Sequence, residues 1–304
     1  MSNTAVHSVS VVIPVYSGSA TLQQVVNELS SFYSEQVTQG GNRYQLAEVI
    51  LVDDCGVDNS AKVIRELAKV DERVVPVWLT RNYGQHAATV AGMASSSHEW
   101  VVTMDEDGQH NPASIGALID TALLNESPLV YGRENNREPH GFFRNVTSKT
   151  VKQLALPLLI NNKNLKYFSS FRLMTGEVAR TVGAFAQHGA YLDIALSWIV
   201  RQSAVCDVSF RNELRMQSGY TTKKLISHFL RLVVSSGTRP LRLITALGLI
   251  SFISGVIGAV VVTVGKYVTG STSNGWASLF SLNLILGGAI LLALGVIAEY
   301  VGVL

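Results

Sequence analysis

Two long apolar stretches near the C-terminus constrain the fold more strongly than any other feature of this 304-residue chain. Every residue from Leu243 to Val264 is apolar, small or hydroxylated, and the same is true from Ala277 to Ala298 except at Asn283. As a helix, each stretch is long enough to cross about 30 Å of hydrocarbon. Because only the short polar segment Thr269–Gly275 separates them, the sequence predicts a transmembrane hairpin, with two buried core helices as the alternative.

Small and polar residues inside these stretches indicate how the two helices would pack. Small residues let helix backbones approach closely, and a polar side chain can hydrogen-bond to the neighbouring helix. We therefore expect Asn283 to bond across the hairpin. The small residues expected at the helix contact are Gly248, Gly255, Gly287 and Gly288.

Basic residues are concentrated on one side of the predicted hairpin. The hairpin loop has only Lys266 at its edge, whereas several Lys and Arg residues precede the first span. Such residues stay on the cytoplasmic side of a membrane, so the region before the spans is expected to be cytoplasmic. The formal net charge is only +2, which gives no indication of nucleic-acid binding. The basic residues before the span are Lys223, Lys224, Arg231, Arg239 and Arg242.

The segment before the first span has the pattern of an amphipathic helix. Between Thr221 and Ser236, basic side chains alternate with large apolar ones. A helix of this kind next to a spanning segment is typical of one that lies in the headgroup layer, and a solvated helix face is the alternative. The two cysteines, Cys55 and Cys206, lie far apart and favour a reducing compartment.

The first ~210 residues have the pattern of an α/β domain. Short β-branched runs alternate with amphipathic stretches, which predicts a mostly parallel sheet covered by helices. The run Val9–Val15 lacks the basic flank and cleavage site of a signal sequence, so it is predicted to be a strand. Predicted strands are Val9–Val15, Ala47–Val52, Val74–Leu79, Trp100–Met104 and Leu129–Gly132, and predicted helices are Leu22–Glu35, Ser60–Val70, Gln85–Ala94 and Pro112–Leu124.

The strongest local signal for chemistry is the run Asp105-Glu106-Asp107-Gly108-Gln109, directly after a predicted strand. Ligands of open α/β sheets bind at the carboxyl ends of the strands. Two carboxylates one residue apart, here Asp105 and Asp107, can converge on a hard divalent cation that bridges a diphosphate. A solvated acidic turn is the alternative, which the position after a buried strand disfavours.

Two further strand ends carry polar residues. Asp53 could accept hydrogen bonds from a base or ribose, whereas Asp58 is expected to cap the next helix. After the following strand, Arg81 could meet a phosphate, and Gly84 lets the backbone turn close to a ligand. Because these turns follow consecutive strands, we expect them to line one crevice.

Taken together, these motifs resemble those of the polyprenol-phosphate glycosyltransferases of the dolichol-phosphate mannose synthase type. These are inverting enzymes of the GT-A fold, and the likeness covers nearly the whole chain. It implies a GT-A domain at 1–220, an interfacial helix at 221–238 and a transmembrane hairpin at 239–304. The matching motifs are Val11–Tyr16, Val52–Asp54, Arg81–Gln85, Met104–Pro112, Phe171–Met174, Ser218–Thr221 and Ala298–Gly302.

The resemblance implies a role for individual residues at the donor site. Pro14, Tyr16 and Asp53 would hold the nucleotide of a nucleotide-sugar. Asp105, Asp107 and Gln109 would surround Mg²⁺ or Mn²⁺. The chain departs from the usual family pattern at Ser170, where many members carry Asp.

The resemblance also implies a polyprenyl phosphate as the acceptor. Such a phosphate is largely ionised near neutral pH, with a second pKa of about 6, and so needs positioning rather than a general base. Asp193 resembles the place of a base in relatives that use hydroxyl acceptors, and a structural or positioning role is favoured here. The residues matching the acceptor-phosphate site are Arg133, Arg144, Ser148 and Arg215.

Other functions are compatible with parts of the sequence. A processive polysaccharide synthase is disfavoured, because the chain has no Gln-x-x-Arg-Trp motif and two spans cannot enclose a polymer channel. Transfer to a sugar or lipid hydroxyl, and a non-catalytic membrane assembly role, stay open as alternatives. The sequence leaves the sugar, the base and the oligomeric state, including a homo-oligomer, undecided.

Overall fold

The computed structural model describes residues 5–134, 168–186, 191–211, 239–269 and 275–301. These residues fall into two compact units, one with the sheet and its helices and one with two long helices. The segment 221–238, predicted to be an interfacial helix, lies outside the described residues. The three-part division of the chain therefore stays a prediction.

The described part of the first unit alternates strands and helices and contains every predicted strand and helix, together with three strands and two helices that were not predicted. Its strands are β1 (Val6–Val15), β2 (Gln36–Val37), β3 (Arg43–Asp53), β4 (Val74–Trp78), β5 (Trp100–Thr103), β6 (Leu129–Glu134), β7 (Arg172–Thr175) and β8 (Ala204–Val208). Its helices are α1 (Leu22–Ser30), α2 (Ser60–Val70), α3 (Gln85–Ala94), α4 (Ile115–Leu124), α5 (Gly176–Phe185) and α6 (Leu192–Ile199), with a 3₁₀ turn at Pro112–Ser114 before α4. The elements that were not predicted are β2, β7, β8, α5 and α6.

The sheet is mostly parallel, as predicted. Its strands run in the order β4-β3-β1-β5-β7-β6-β8, and β2 pairs antiparallel with the start of β3. Strand β7 is antiparallel to both of its neighbours, β5 and β6. The carboxyl ends of β1, β3, β4, β5 and β6 therefore lie at one edge of the sheet, where a ligand of an open α/β sheet binds.

Helices cover both faces of this sheet, so its central strands are apolar on both sides. On one face, Val11 and Ile13 of β1 pack with Leu22 of α1 and are fully buried. On the other face, Val12 packs in a cluster that includes residues of α3. A Cβ at Gly92 would overlap Val12 and Val52, which shows how closely α3 approaches the sheet.

The predicted bounds of α1 were wrong at its end. Helix α1 stops at Ser30 rather than Glu35. The residues after α1 form hydrogen bonds with the spacing of a 3₁₀ turn: the N–H of Phe32 donates to the carbonyl of Leu29, three residues back. The Phe32 carbonyl then accepts from Leu46 of β3, so it is used by the sheet instead of by a longer helix.

The second unit consists of α7 (Arg239–Thr269) and α8 (Trp276–Val301). Both helices are long and apolar enough to cross a membrane, over Ile244–Val268 and Ala277–Ala298. Only 11% and 17% of the residues in their apolar windows are buried. This exposure argues against the alternative of two core helices and agrees with a membrane-spanning pair.

Small residues mediate the contact between α7 and α8. A Cβ at Gly248, Gly255 or Gly288 would overlap the facing helix, so these three glycines allow the close approach that was predicted. The prediction was wrong for Gly287, around which a Cβ would meet nothing. It was also wrong for Asn283, which is exposed and donates to Leu279 of its own helix. Ser251 makes the bond across the hairpin instead, to the carbonyl of Leu284.

Candidate active site

Four loops meet at the carboxyl edge of the sheet, as the sequence predicted. They follow β1, β3, β4 and β5, whose ends are in register through pairs such as Val15 with Asp53 and Asp53 with Trp78. Side chains connect each loop to another. The connecting contacts are Glu106 to Tyr16, Asp58 to Ser19, Asp54 to Tyr83 and Gln85 to Asp105.

Asp105 is held in a defined orientation by hydrogen bonds to both carboxylate oxygens. The Gln85 side-chain amide donates to Oδ1 at 2.7 Å, and the Ser170 hydroxyl donates to Oδ2 at 2.6 Å. Ser170 is the position where many family members carry Asp. Because Ser170 donates a hydrogen bond and carries no charge, it orients Asp105 without the like-charge repulsion that a second carboxylate would bring.

The buried side chain of His110 contacts the same loop, and His110 was not predicted as a site residue. It is 3% exposed, its ring stacks on Phe171 at 4.9 Å, and Phe210 contacts it edge-on at 5.0 Å. Burial lowers the pKa of His110, against the opposing effect of the nearby carboxylates. Its Nδ1 accepts the backbone N–H of Asp105 at 2.9 Å, so the neutral ring carries its proton on Nε2.

Asp107 lies in a tight turn directly after Asp105. Its Oδ1 accepts the backbone N–H of Gln109 at 3.0 Å, and Gly108 takes the left-handed conformation with φ of 77°. Within the described ranges, no group of three or more His, Cys, Asp or Glu side chains is arranged to hold a metal. Two carboxylates that share a hard cation with a substrate diphosphate fit this arrangement, because Mg²⁺ is often bound in that way.

Asp53 is the last residue of β3, at the edge of the sheet where the loops meet, and one of its carboxylate oxygens receives no hydrogen bond from the described residues. The residue is 8% exposed, and its Oδ1 is buried without a partner in the described part of the chain. A buried acceptor without a donor costs roughly 1–3 kcal/mol. A ribose hydroxyl or base N–H would satisfy this oxygen, in agreement with the predicted nucleotide contact.

Asp54, next to it, has a different role that the sequence did not reveal. It is buried and accepts the backbone N–H groups of Tyr83 at 2.7 Å and Gly84 at 2.8 Å. Burial raises the pKa of Asp54, and these two backbone bonds oppose that shift. Asp54 thus fixes the turn in which Gly84 has φ of 89°, while the Arg81 guanidinium lies 4.8 Å from the Tyr83 ring centre.

Asp58 was expected to cap α2, but Asn59 is the N-cap residue; Asp58, one residue earlier, binds the first N–H of the helix and also contacts the loop after β1. Its carboxylate accepts the N–H of Ser60 at 3.0 Å and the N–H of Ser19 at 3.0 Å. Partial burial alone would raise its pKa, but the hydrogen bonds from Ser60 and Ser19 lower the pKa of Asp58 to about 2. The carboxylate is therefore ionised at neutral pH and connects the loops after β1 and β3.

Arg133 lies at the end of β6, at the same edge of the sheet. Its cross-strand neighbour is Asp207 of β8, and the two form a bidentate ion pair with Nη2 and Oδ2 2.7 Å apart and Nε against Oδ1. Both side chains are close to half exposed. The hydrogen bond from Arg133 lowers the pKa of Asp207. The other predicted acceptor residues, Arg144, Ser148 and Arg215, lie outside the described residues.

Asp193 forms a buried ion pair with Arg172. The Arg172 Nη1 donates to Asp193 Oδ1 at 2.6 Å, and the two side chains are 4% and 3% exposed. Burial raises the pKa of Asp193, which the Arg172 charge and a hydrogen bond from Tyr131 counteract. This environment suits a structural role better than that of a base which must reach a substrate.

The chain is similar to known proteins in family, in sequence and in fold. A model of glycosyl transferase family 2 matches residues 10–184. An undecaprenyl-phosphate 4-deoxy-4-formamido-L-arabinose transferase of Proteus mirabilis is 29% identical, over 98% of this chain and 89% of that protein. The enzyme with the same name from Aeromonas hydrophila is 28% identical, over 99% and 90%. Mannosyl-3-phosphoglycerate synthase from Rubrobacter xylanophilus is similar in fold, with a TM-score of 0.54 and 16% identity over 78% of this chain and 74% of that one.

Proposed function

Because the chain belongs to glycosyl transferase family 2 and has the GT-A fold, we propose that it transfers a sugar from a nucleotide-sugar to a polyprenyl phosphate. The observation that carries the proposal is the combination, in one chain, of the strand-end acidic site with two exposed helices of membrane length. The matched relatives, which are named for undecaprenyl phosphate, are similar over both parts.

The donor site is formed by the loops after β1, β3, β4 and β5. Asp53 would offer a buried hydrogen-bond acceptor to the nucleoside, and Pro14 and Tyr16 at the end of β1 would contact it as well. Arg81, in the loop after β4, would bind a phosphate of the donor. The oxygen ligands for Mg²⁺ or Mn²⁺ would be Asp105, Asp107 and Gln109. When bound there, the cation supplies positive charge opposite the negative charge that builds up on the leaving diphosphate.

The acceptor reaction needs no general base. An ionised phosphate oxygen of the lipid attacks the anomeric carbon, the bond from that carbon to the diphosphate oxygen breaks, and the configuration inverts. Proton removal is unnecessary because a phosphate monoester has a second pKa of about 6. Burial of Asp193 against Arg172 supports this over a hydroxyl acceptor, for which a base must contact the nucleophile.

The direct test uses the purified full chain in detergent with a panel of nucleotide-sugars, Mg²⁺ or Mn²⁺, and polyprenyl phosphate. Release of nucleoside diphosphate that depends on the lipid phosphate is the expected result. Release that requires a lipid or sugar hydroxyl instead would indicate the alternative acceptor. Absence of release with every donor would favour a non-catalytic membrane role.

Arg133→Lys is expected to impair use of the acceptor. A guanidinium can bind phosphate through two parallel hydrogen bonds, which an ammonium reproduces poorly. Loss of a charge-assisted contact costs about 2–3 kcal/mol, so kcat/KM for polyprenyl phosphate should fall by a factor of tens to about a hundred. The KM for the nucleotide-sugar should stay near normal. Arg144→Lys is expected to behave in the same way.

Asp207→Asn is the matched control for Arg133. It removes the carboxylate that pairs with Arg133 but leaves the guanidinium in place. If Arg133 binds the lipid phosphate, Asp207→Asn should keep acceptor use. If the two residues only connect β6 to β8, both variants should have the same effect, and the assignment of Arg133 would be wrong.

We further propose that the first unit faces the cytoplasm, because of the basic residues before the first span. A cysteine at position 272, between the two helices, should then react with an impermeant reagent only from the opposite side of sealed vesicles. Cys55, which is exposed in the first unit, provides a native control that should react only from the cytoplasmic side. The position 272 variant therefore also carries Cys55→Ser. Labelling of position 272 from the cytoplasmic side would contradict this orientation.

A further inference from the structure

Glu106 lies between Asp105 and Asp107 in sequence, but its side chain has other partners. Its carboxylate accepts the backbone N–H of Tyr16 at 2.9 Å and that of Ser17 at 3.0 Å. Its backbone carbonyl accepts from the Thr21 hydroxyl at 2.6 Å. Glu106 thus connects the loop after β5 to the loop after β1 at two points.

The loop after β1 has four consecutive backbone N–H groups that all donate to side chains of other segments, namely the loops after β3 and β5 and the first residue of α2. Tyr16 and Ser17 donate to Glu106, Gly18 donates to the Ser60 hydroxyl at 2.9 Å, and Ser19 donates to Asp58 at 3.0 Å. Runs of N–H groups before a helix commonly bind phosphate. Here the protein's own oxygen atoms occupy them, so this loop is built to present side chains and not to bind the diphosphate.

Tyr16 is the side chain that this arrangement positions. It is 41% exposed at the edge of the crevice, one residue beyond the strand position that pairs with Asp53. Gly56 contacts it from the other side, because a Cβ there would overlap the Tyr16 carbonyl oxygen. The Tyr16 backbone is therefore held between Gly56 and the Glu106 carboxylate.

Gly18 leaves room for that carboxylate. A Cβ at Gly18 would lie 2.6 Å from Glu106 Oε2, which is closer than a real contact allows. The loop after β1 and the Glu106 side chain are therefore matched in shape as well as in hydrogen bonding.

We infer that Glu106 is a positioning residue for the nucleotide: it holds the Tyr16–Ser17 backbone so that Tyr16 faces the donor. This inference rests on the proposed function and adds a residue to the donor site. Unlike Asp105 and Asp107, Glu106 acts through the loop after β1. Its loss should therefore weaken use of the nucleotide-sugar without weakening use of the acceptor.

The test compares Glu106→Ala and Glu106→Gln in the full chain in detergent. We expect the KM for the nucleotide-sugar to rise about tenfold in Glu106→Ala, from loss of two charge-assisted bonds, and less in Glu106→Gln, whose amide oxygen keeps one of them. The KM for polyprenyl phosphate should not change. Glu66→Gln, an equal charge change on the exposed face of α2, is the control and should match the wild type.

Amide hydrogen exchange gives a readout that needs no nucleotide-sugar. A peptide covering residues 14–20 should exchange about tenfold faster in Glu106→Ala, because its two N–H groups lose their acceptor. Unchanged exchange in that peptide would overturn the inference, as would equal rises in KM for donor and acceptor. If the wild type transfers no sugar, the proposed function fails, and the exchange rates still decide whether Glu106 holds the loop.

Gly18→Ala tests whether Gly18 and Glu106 affect the nucleotide-sugar through the same contact. The added methyl group displaces the Glu106 carboxylate, so Gly18→Ala should raise the KM for the nucleotide-sugar in the wild-type background. In the Glu106→Ala background the same change should have no further effect. Additive effects of the two substitutions would show that they act independently and would contradict the inference.

Discussion

Asp105→Asn and Asp107→Asn are each expected to reduce turnover by on the order of a thousandfold or more. A cation at a developing charge contributes several kcal/mol to transition-state stabilisation, and about 1.4 kcal/mol corresponds to a tenfold change in rate. Asparagine keeps the size of the side chain but removes the charge that holds the cation. The effect should appear in kcat with every nucleotide-sugar that the wild type accepts.

Metal binding should be measured separately from activity. Binding of Mn²⁺ to the protein with nucleoside diphosphate, followed by electron paramagnetic resonance, should be lost in both variants. Folding should be unaffected, since Asp105 is only partly buried and Asn can accept from Gln85 through its carbonyl oxygen while its amide donates to the Ser170 hydroxyl oxygen. Full wild-type activity in the presence of EDTA would contradict the metal assignment.

The sequence was sufficient to place these carboxylates, because their position follows from strand periodicity alone. The buried strands β3 and β5 are apolar runs, β3 ends at Asp53 and β5 is followed by the acidic run that begins at Asp105, and parallel strands bring such ends to one edge. The mostly parallel sheet and the contact between the loops at its carboxyl edge were therefore confirmed, whereas a ligand-binding crevice between them stays a prediction. The bounds of α2 and α3 matched as well.

The supporting residues of the site could not be predicted in this way. Asp54 and Glu106 look like part of acidic motifs, yet the structure shows that each binds backbone N–H groups of a different loop. Which loop a carboxylate faces depends on side-chain direction and on the spacing of loops that are distant in sequence. His110 was missed for the same reason, since its burial is created by Phe171 and Phe210.

The pairing of arginines with carboxylates was also invisible in the sequence. Asp207 follows Arg133 by 74 residues and Asp193 follows Arg172 by 21 residues. Only the register of β6 with β8, and the position of α6 over β7, bring the partners together. The Arg133–Asp207 pair is exposed and the Arg172–Asp193 pair is buried, so the two ion pairs should differ greatly in their effect on the free energy of unfolding.

Asp193→Asn is expected to destabilise the fold by about 3–5 kcal/mol, because it leaves the buried Arg172 charge without a counter-charge. No second acceptor compensates for this loss, since the Arg172 Nε is already buried without a hydrogen-bond partner in the described part of the chain. Denaturation of the detergent-solubilised protein measures the loss. Asp207→Asn breaks the exposed pair and serves as the control, with an expected cost of at most about 1 kcal/mol.

Turnover by the folded fraction of Asp193→Asn then separates the two possible roles of this carboxylate. If Asp193 only balances Arg172, the variant should still transfer sugar to polyprenyl phosphate, since that nucleophile arrives ionised. A double variant, Asp193→Leu with Arg172→Met, removes both charges and should be more stable than Asp193→Asn alone. A folded but inactive Asp193→Asn enzyme, with Arg133→Lys still using the lipid normally, would instead identify Asp193 as a base. The acceptor would then be a hydroxyl, because only that nucleophile must lose a proton during the reaction.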